Sequence, residues 1–307
     1  MIRPFRMLVP DGSMETKVAQ LLSEAGIQVG FGPRCYRGSL RPVELFGADS
    51  QVVKLRPWDA IWVVADGGAD LAFVGDDLIV ESGRAAEVVV LDRYALSRGD
   101  VGQTTVVVAV PIGSPIETPR QLTGEHVVVT EYPVLAAARM AEWGVAPQIK
   151  TCKGSLEAFH FVDIADAIVE NIETGGSLAA NGWKVIASIL TSQLCLIVPT
   201  NAQKDERISG LIKQIRLLVS SVMLGRTQKL IKLNVSASNL EAVVSMLPSA
   251  LRPTVTRLAN GVTGEEWFAV ESVIRAADVP SLLPKLSGSP DSLGRDVLIV
   301  NIEQAVP

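Results

Sequence analysis

Histidine and cysteine are scarce in this chain. His126 and His160, two in 307 residues, are too few for a histidine-based metal site. Cys35, Cys152 and Cys195 are odd in number, widely spaced and without a CxxC pair. Buried free thiols are therefore expected, rather than metal ligands or a nucleophile. Long apolar runs are also missing. The longest, residues 106–111 and 194–199, are strand-length and far short of a membrane span. The opening MIRPFRMLVPDGS has no long apolar core and no small-residue cleavage site, so no signal peptide is expected and the cytoplasm is the default location. Lys and Arg form no stripe, and the net charge is −5, so no general nucleic-acid affinity is implied. What remains is globular: 48% hydrophobic and 20% charged residues, in a chain long enough for two or three domains.

The chain opens as an α/β unit. Residues 5–9 are apolar, Pro10-Asp11-Gly12-Ser13 turns, and Met14, Val18, Leu21, Leu22 and Ala25 recur at helical spacing up to Gly26. A strand–helix rhythm follows. Strands are expected at 52–55, 70–75, 88–91, 106–110, 127–130, 149–151, 165–170, 184–190 and 194–198. Helices are expected at 60–67, 77–81, 133–143 and from Ser177, with a turn into helix at 154–159. Asp59 reads equally as a helix cap or a ligand, and Asp76 and Asp77 read as caps. Trp58 and Trp62 lie four apart, so one packs inward. Residues 205–229 form a long amphipathic helix with Ile208, Leu211, Ile212, Ile215, Leu218, Val219 and Val222 on one face. Beyond it, strands at 229–235, 254–258, 267–274 and 297–302 enclose helices at 240–247 and 279–286. That order is ferredoxin-like, a module that commonly binds regulatory ligands.

The run DAIVENIETGGSLAANG, residues 166–182, carries the most chemistry. An apolar strand with Asp166 and Glu170 leads into Thr174-Gly175-Gly176-Ser177 and a helix start. Glycines let backbone N–H groups converge on an anion, hydroxyls add donors, and a helix N-terminus adds a favourable dipole. The two carboxylates suit vicinal hydroxyls or a hydrated Mg²⁺. A plain strand-to-helix connection is the alternative reading.

These residues, in this order, resemble the long-form ATP phosphoribosyltransferases, the first enzymes of histidine biosynthesis. The anchors are Arg56-x-x-Asp59-Ala60-Ile61, residues 70–78 (DLAFVGDDL), Tyr132-Pro133, Gly154-Ser155-x-Glu157, the 166–182 run, Leu247-Pro248 and Arg252-Pro253-Thr254. The resemblance implies an α/β fold: a two-lobed catalytic part like a type II periplasmic binding protein, followed by a C-terminal ferredoxin-like α+β domain. Lobe I would be 1–101 with 184–226, lobe II would be 102–183, and the regulatory domain would be 227–307. It implies transfer of phosphoribose from phosphoribosyl pyrophosphate (PRPP) to N1 of ATP, with Mg²⁺, pyrophosphate release and an oxocarbenium-like transition state.

Carried over by resemblance, Thr174, Gly175, Gly176, Ser177 and Leu178 hold the 5′-phosphate. Asp166 and Glu170 hold ribose hydroxyls, Glu157 lies near the acceptor or metal, and Arg56 and Tyr132 contact substrate. Thr254 and Ser272 lie near a histidine-like effector, and a homo-oligomer is implied. Metal ligands stay unassigned, and no membrane or nucleic-acid partner is expected. A role for His160 near the cleft and a stacking role for Trp58 stay open.

The chain departs from the family pattern at several positions. Asp11-Gly12-Ser13 stands where a Lys-Gly-Arg type turn is usual, and Glu131 where a basic or small residue precedes Tyr-Pro. Asp163 replaces a glycine, Glu170 an Asp, Ser177 a Thr, and Glu271 a common histidine. Glu170 and Ser177 keep the donor chemistry. An Asp and a Glu near a triphosphate disfavour it by roughly 1 kcal/mol each. A shifted acceptor is thus expected, with a different nitrogen heterocycle or a non-catalytic PRPP-binding regulator as alternatives to ATP transfer.

Overall fold

The structure is a computed structural model describing residues 3–97, 101–247, 253–259, 265–287 and 292–306, without the side chains of His160 and Gln203. Pro248 and Arg252, two of the family anchors, and the His160 side chain lie outside the described residues. The chain divides into two compact units, Met1–Arg216 and Leu217–Pro307.

The elements run β1 Arg6–Pro10, α1 Glu15–Glu24, β2 Gln28–Phe31, β3 Arg37–Arg41, α2 Val43–Phe46, β4 Gln51–Leu55, α3 Pro57–Ala65, β5 Leu71–Gly75, α4 Asp76–Glu81 and β6 Val88–Tyr94. They continue with β7 Thr104–Pro111, β8 Val127–Thr130, α5 Pro133–Glu142, β9 Gln148–Thr151, β10 Ala167–Ile172, α6 Gly176–Ala180, β11 Trp183–Ser192, β12 Leu194–Pro199 and α7 Glu206–Thr227. Proline at the first helical position starts α3 and α5, where its missing N–H costs nothing.

In the first unit, a seven-stranded sheet has the order β2-β3-β4-β1-β5-β12-β6, and a five-stranded sheet the order β11-β7-β10-β8-β9. The chain passes from the first sheet to the second between β6 and β7, and returns between β11 and β12. The return point corrects the expected boundary at 183/184. β11 pairs antiparallel with β7 from Trp183 to Ser192, so residues 184–192 belong to the second sheet. Asn181-Gly182 supplies the turn signal, but the chain reverses there within the same sheet. One buried cluster joins Leu8, Ala60, Val64 and Ala72 of the first sheet side to Val106, Val128 and Met140 of the second. A separate cluster of Val107, Leu156, Ile168, Leu178 and Trp183 covers the other face of the second sheet.

The hairpin β2–β3 and helix α2 have no counterpart among the expected elements. Their strands, QVGF and RGSLR, are only four and five residues long, too short for a pattern to stand out. Among the described residues, α7 is the one helix long and apolar enough to cross a membrane. Its buried Ile208, Leu211, Ile212, Ile215, Val219 and Val222 oppose exposed Arg207, Lys213 and Arg216, which is the pattern of an amphipathic core helix.

The second unit adds β13 Gln228–Ser236, α8 Leu240–Met246, β14 Thr254–Arg257, β15 Trp267–Arg275, α9 Val279–Ser287 and β16 Arg295–Asn301. Its antiparallel sheet, ordered β14-β15-β13-β16, has the ferredoxin-like arrangement. Ile231, Leu233, Val270, Ile274 and Leu286 fill its core.

The thiols divide differently from expectation: Cys195 is buried and Cys152 half-buried, but Cys35 is exposed. Burial pushes the Cys195 thiol well up, which leaves it an inert core group.

Candidate functional site

Parallel strands of both sheets end at a cavity of about 280 Å³, the place where open α/β folds bind ligands. Asp11 after β1, Arg56 and Trp58 at the start of α3, Asp77 after β5, and Glu131 and Tyr132 after β8 line it. Glu170 and Asn171 enter from β10. Gly12 has φ +122°, and a Cβ there would stand 3.3 Å from Arg56 Nη1, so the turn leaves room for the guanidinium. Arg56 Nε lies 3.5 Å from Asp11 Oδ2.

Asp77, 4% exposed, is the polar centre between the two sheets. It accepts from Tyr132 Oη at 2.8 Å, Asn171 Nδ2 at 2.8 Å and Ser192 Oγ at 2.6 Å. Ser192 Oγ in turn accepts from the Asp77 N–H at 3.2 Å. Three neutral donors satisfy a carboxylate that burial would otherwise make costly. One turn further along α4, Glu81 accepts from the N–H groups of Val134 and Leu135 at 3.0 and 2.8 Å, capping α5 of the second sheet. Burial pushes the Glu81 carboxyl up, and the two backbone bonds counter it. Burial, then the Asp77 charge, pushes the Tyr132 hydroxyl far up, so it stays a donor. Trp58 packs on Tyr132 with ring centroids 5.3 Å apart, while Trp62 is exposed. Lys153 Nζ lies 5.5 Å from the Trp58 ring.

The turn at 174–177 leaves the same end of β10. Gly175 sits at the α6 N-cap with φ +75°, a left-handed conformation that glycine adopts without strain. Ser177 Oγ donates to Glu157 Oε1 at 2.6 Å, and the Trp183 indole donates to the Glu157 carbonyl at 2.9 Å. Leu178 is buried beneath the turn, so it anchors the loop rather than facing an anion. Among the described residues, no group of three or more His, Cys, Asp or Glu could hold a metal ion.

The residues expected from sequence fall into four places. Arg56, Tyr132 and Glu170 line the cavity. Glu157 joins Thr174, Gly175, Gly176 and Ser177 at the turn. Asp166 precedes β10 at its other end, where Oδ2 accepts from Val127 N at 2.7 Å, so it is not brought together with Glu170. Thr254 and Ser272 are in the second unit and on opposite sheet faces. Thr254 pairs with Glu271 and is exposed, whereas the neighbouring Ser272 is buried with its Oγ unpartnered.

The acids read as caps also have other roles. Asp59 lies in the first turn of α3, whose N-cap is Arg56, and accepts from the Trp62 indole at 3.2 Å. Asp76 pairs with Arg93 at 2.9 Å, and Gly75 is the α4 N-cap. The bridging role of Asp77, and the roles of Asn171, Ser192 and Glu81, escaped sequence reading, because they arise only where the sheets meet. The Asp76-Asp77 pair directly after an apolar strand was the available signal.

Two α/β lobes joined by two crossings, with a cavity at their strand ends, define a fold of the type II periplasmic-binding-protein kind, here carrying a ferredoxin-like unit. The family model described as ATP phosphoribosyltransferase matches residues 56–217, and that described as HisG, C-terminal domain matches 225–304. An ATP phosphoribosyltransferase of Chlorobium phaeovibrioides is 30% identical over 284 residues, 92% of each chain. One of Methanothermobacter thermautotrophicus is 32% identical over 260 residues, 84% of each chain. A solved ATP phosphoribosyl transferase (HisG:HisZ) complex from Thermotoga maritima shares the fold, with a TM-score of 0.57 and 21% identity over 70% of this chain and 98% of that one. The chain belongs to the ATP phosphoribosyltransferase family.

Proposed function

We propose that this chain transfers the 5-phosphoribosyl group of PRPP to N1 of ATP and releases pyrophosphate, the first step of histidine biosynthesis. The observation that carries this reading is the family match across both units, combined with a glycine turn at the end of a strand that also feeds the cavity.

In this reading the 5′-phosphate rests on Thr174, Gly175, Gly176 and Ser177. The Ser177 hydroxyl leaves Glu157 to donate to it. Glu170 accepts from ribose hydroxyls at the cavity wall, and Asp166 acts at a distance by fixing the start of β8 through Val127. The C1–O bond to pyrophosphate breaks with its electron pair, and the N1 lone pair of adenine forms the new bond to C1. No strong base is needed to prepare that lone pair, so the protein contributes position and charge stabilisation. Trp58, packed on Tyr132, offers a flat wall for the base. Mg²⁺ would enter with the substrate, carried on the pyrophosphate, whose charge it would neutralise.

Cytoplasmic placement, assembly into a homo-oligomer and sensing of a histidine-like effector by the second unit complete the reading. The test is pyrophosphate release from PRPP and Mg²⁺ on addition of ATP. Release supports it, and its absence with ATP and with other nitrogen heterocycles overturns it in favour of a PRPP-binding regulator.

A further inference from the structure

Lys153 follows β9 at the rim of the cavity. Its Nζ lies 5.5 Å from the centre of the Trp58 ring, and Trp58 lines the cavity and packs on Tyr132. The Lys153 side chain is exposed and, among the described residues, has no carboxylate partner. The chain on both sides of it is fixed to the end of β8. The Cys152 N–H donates to the Thr130 carbonyl at 3.0 Å, and the Gly154 N–H donates to the Glu131 carboxylate. Gly154 and Ser155 both have positive φ, so the chain turns sharply just after Lys153, and the bond to Glu131 sets where that turn sits. Glu131 is thereby committed to the backbone of the loop that carries the ammonium. A cation–π contact at an exposed site is weak, and an ammonium on a flexible four-carbon stem exchanges it readily for phosphate oxygens. The Arg56 guanidinium on the cavity wall lies 3.5 Å from the Asp11 carboxylate. Lys153 therefore brings to the rim a cation that no neighbouring carboxylate neutralises.

We propose that Lys153 binds a substrate polyphosphate at the rim of the cavity, and that Glu131 is the positioning residue that holds it there through the Gly154 N–H. This rests on the phosphoribosyltransferase reading above and adds a charged contact to the same site. The ligand chemistry is an Mg²⁺-bearing polyphosphate, which both substrates of that reaction carry: the triphosphate of ATP and the pyrophosphate of PRPP.

The test measures kcat and KM for ATP and for PRPP with the full chain and Mg²⁺. The variants are Lys153→Met, Lys153→Arg, Glu131→Ala, the double variant Lys153→Met/Glu131→Ala, and Lys150→Met. Lys150 is exposed on β9, so its substitution removes the same charge without the Trp58 contact. Lys153→Met should raise one of the two KM values about tenfold, at an intermediate effective dielectric, with little change in kcat. A rise for ATP assigns the triphosphate, and a rise for PRPP assigns the pyrophosphate. Lys153→Arg keeps the charge and should return that KM to within about threefold of wild type. Glu131→Ala should raise the same KM and add nothing in the Lys153→Met background. The thermal midpoint reports folding, and if Glu131→Ala does not fold, Lys153→Met and Lys153→Arg carry the test. KM values that Lys153→Met leaves unmoved, or that Lys150→Met raises equally, overturn the Lys153 assignment while the transferase reading stands. A lowered KM in Glu131→Ala, or an additive effect, overturns the positioning role. If wild type releases no pyrophosphate, the transferase reading falls, and calorimetric titration with MgATP and PRPP still tests Lys153. Equal Kd values for wild type and Lys153→Met would then overturn it.

Discussion

Asp77 holds Tyr132 and Asn171 from one sheet and Ser192 at the return crossing. Asp77→Ala strips three buried donors of their acceptor and should destabilise the chain by about 3 kcal/mol in urea unfolding. Tyr132→Phe removes one of those bonds and should cost about 1–2 kcal/mol. Glu81 gives a pH signature. Its folded carboxyl is raised by burial above the unfolded value, so it binds its proton more tightly in the folded state. Its stabilising contribution is therefore full below the ordinary carboxyl range and is lost as pH rises through the folded value. The stability of wild type minus that of Glu81→Gln should fall as pH rises through and above the ordinary carboxyl range. A flat or rising difference would contradict this assignment. Neither acid was legible as a bridge, because a single strand-end Asp and a helix Glu acquire their partners only from residues 50 or more positions away.

At the scale of elements, β10 and its turn were legible because an apolar strand running into Thr-Gly-Gly-Ser has few alternatives. The pairing of Asp166 with Glu170 was not. Four residues along a strand span about 13 Å, so Asp166, just before β10, lies well away from Glu170 within it. Gly175→Ala places a side chain at φ +75° and should cost about 1 kcal/mol, with a larger proportional rise in the KM for PRPP than fall in kcat. An unchanged KM would remove the turn from the phosphate site. The same period of two separates Thr254 from Ser272 across the β14–β15 sheet. Histidine titrated against Thr254→Ala and Ser272→Ala should therefore be affected by at most one of them through direct contact.

At the scale of the molecule, the strand–helix alternation and the βαββαβ end announced two different architectures, one α/β and one α+β. The exact crossing did not show, since β11 and β12 are both apolar and only Ser192-Gln193 separates them. The acidic residues at positions 11 and 131, scattered in sequence, converge on one cavity with Asp77 and Glu170. Cavity charge therefore became readable only in three dimensions. Assay of the full chain with PRPP, Mg²⁺ and ATP, with mass spectrometry of the product, tests phosphoribosyl transfer most directly. Stoichiometric pyrophosphate and an adenine nucleotide heavier by one phosphoribosyl group are expected. PRPP that binds but stays intact with ATP and with every lower-charge adenine compound would contradict it.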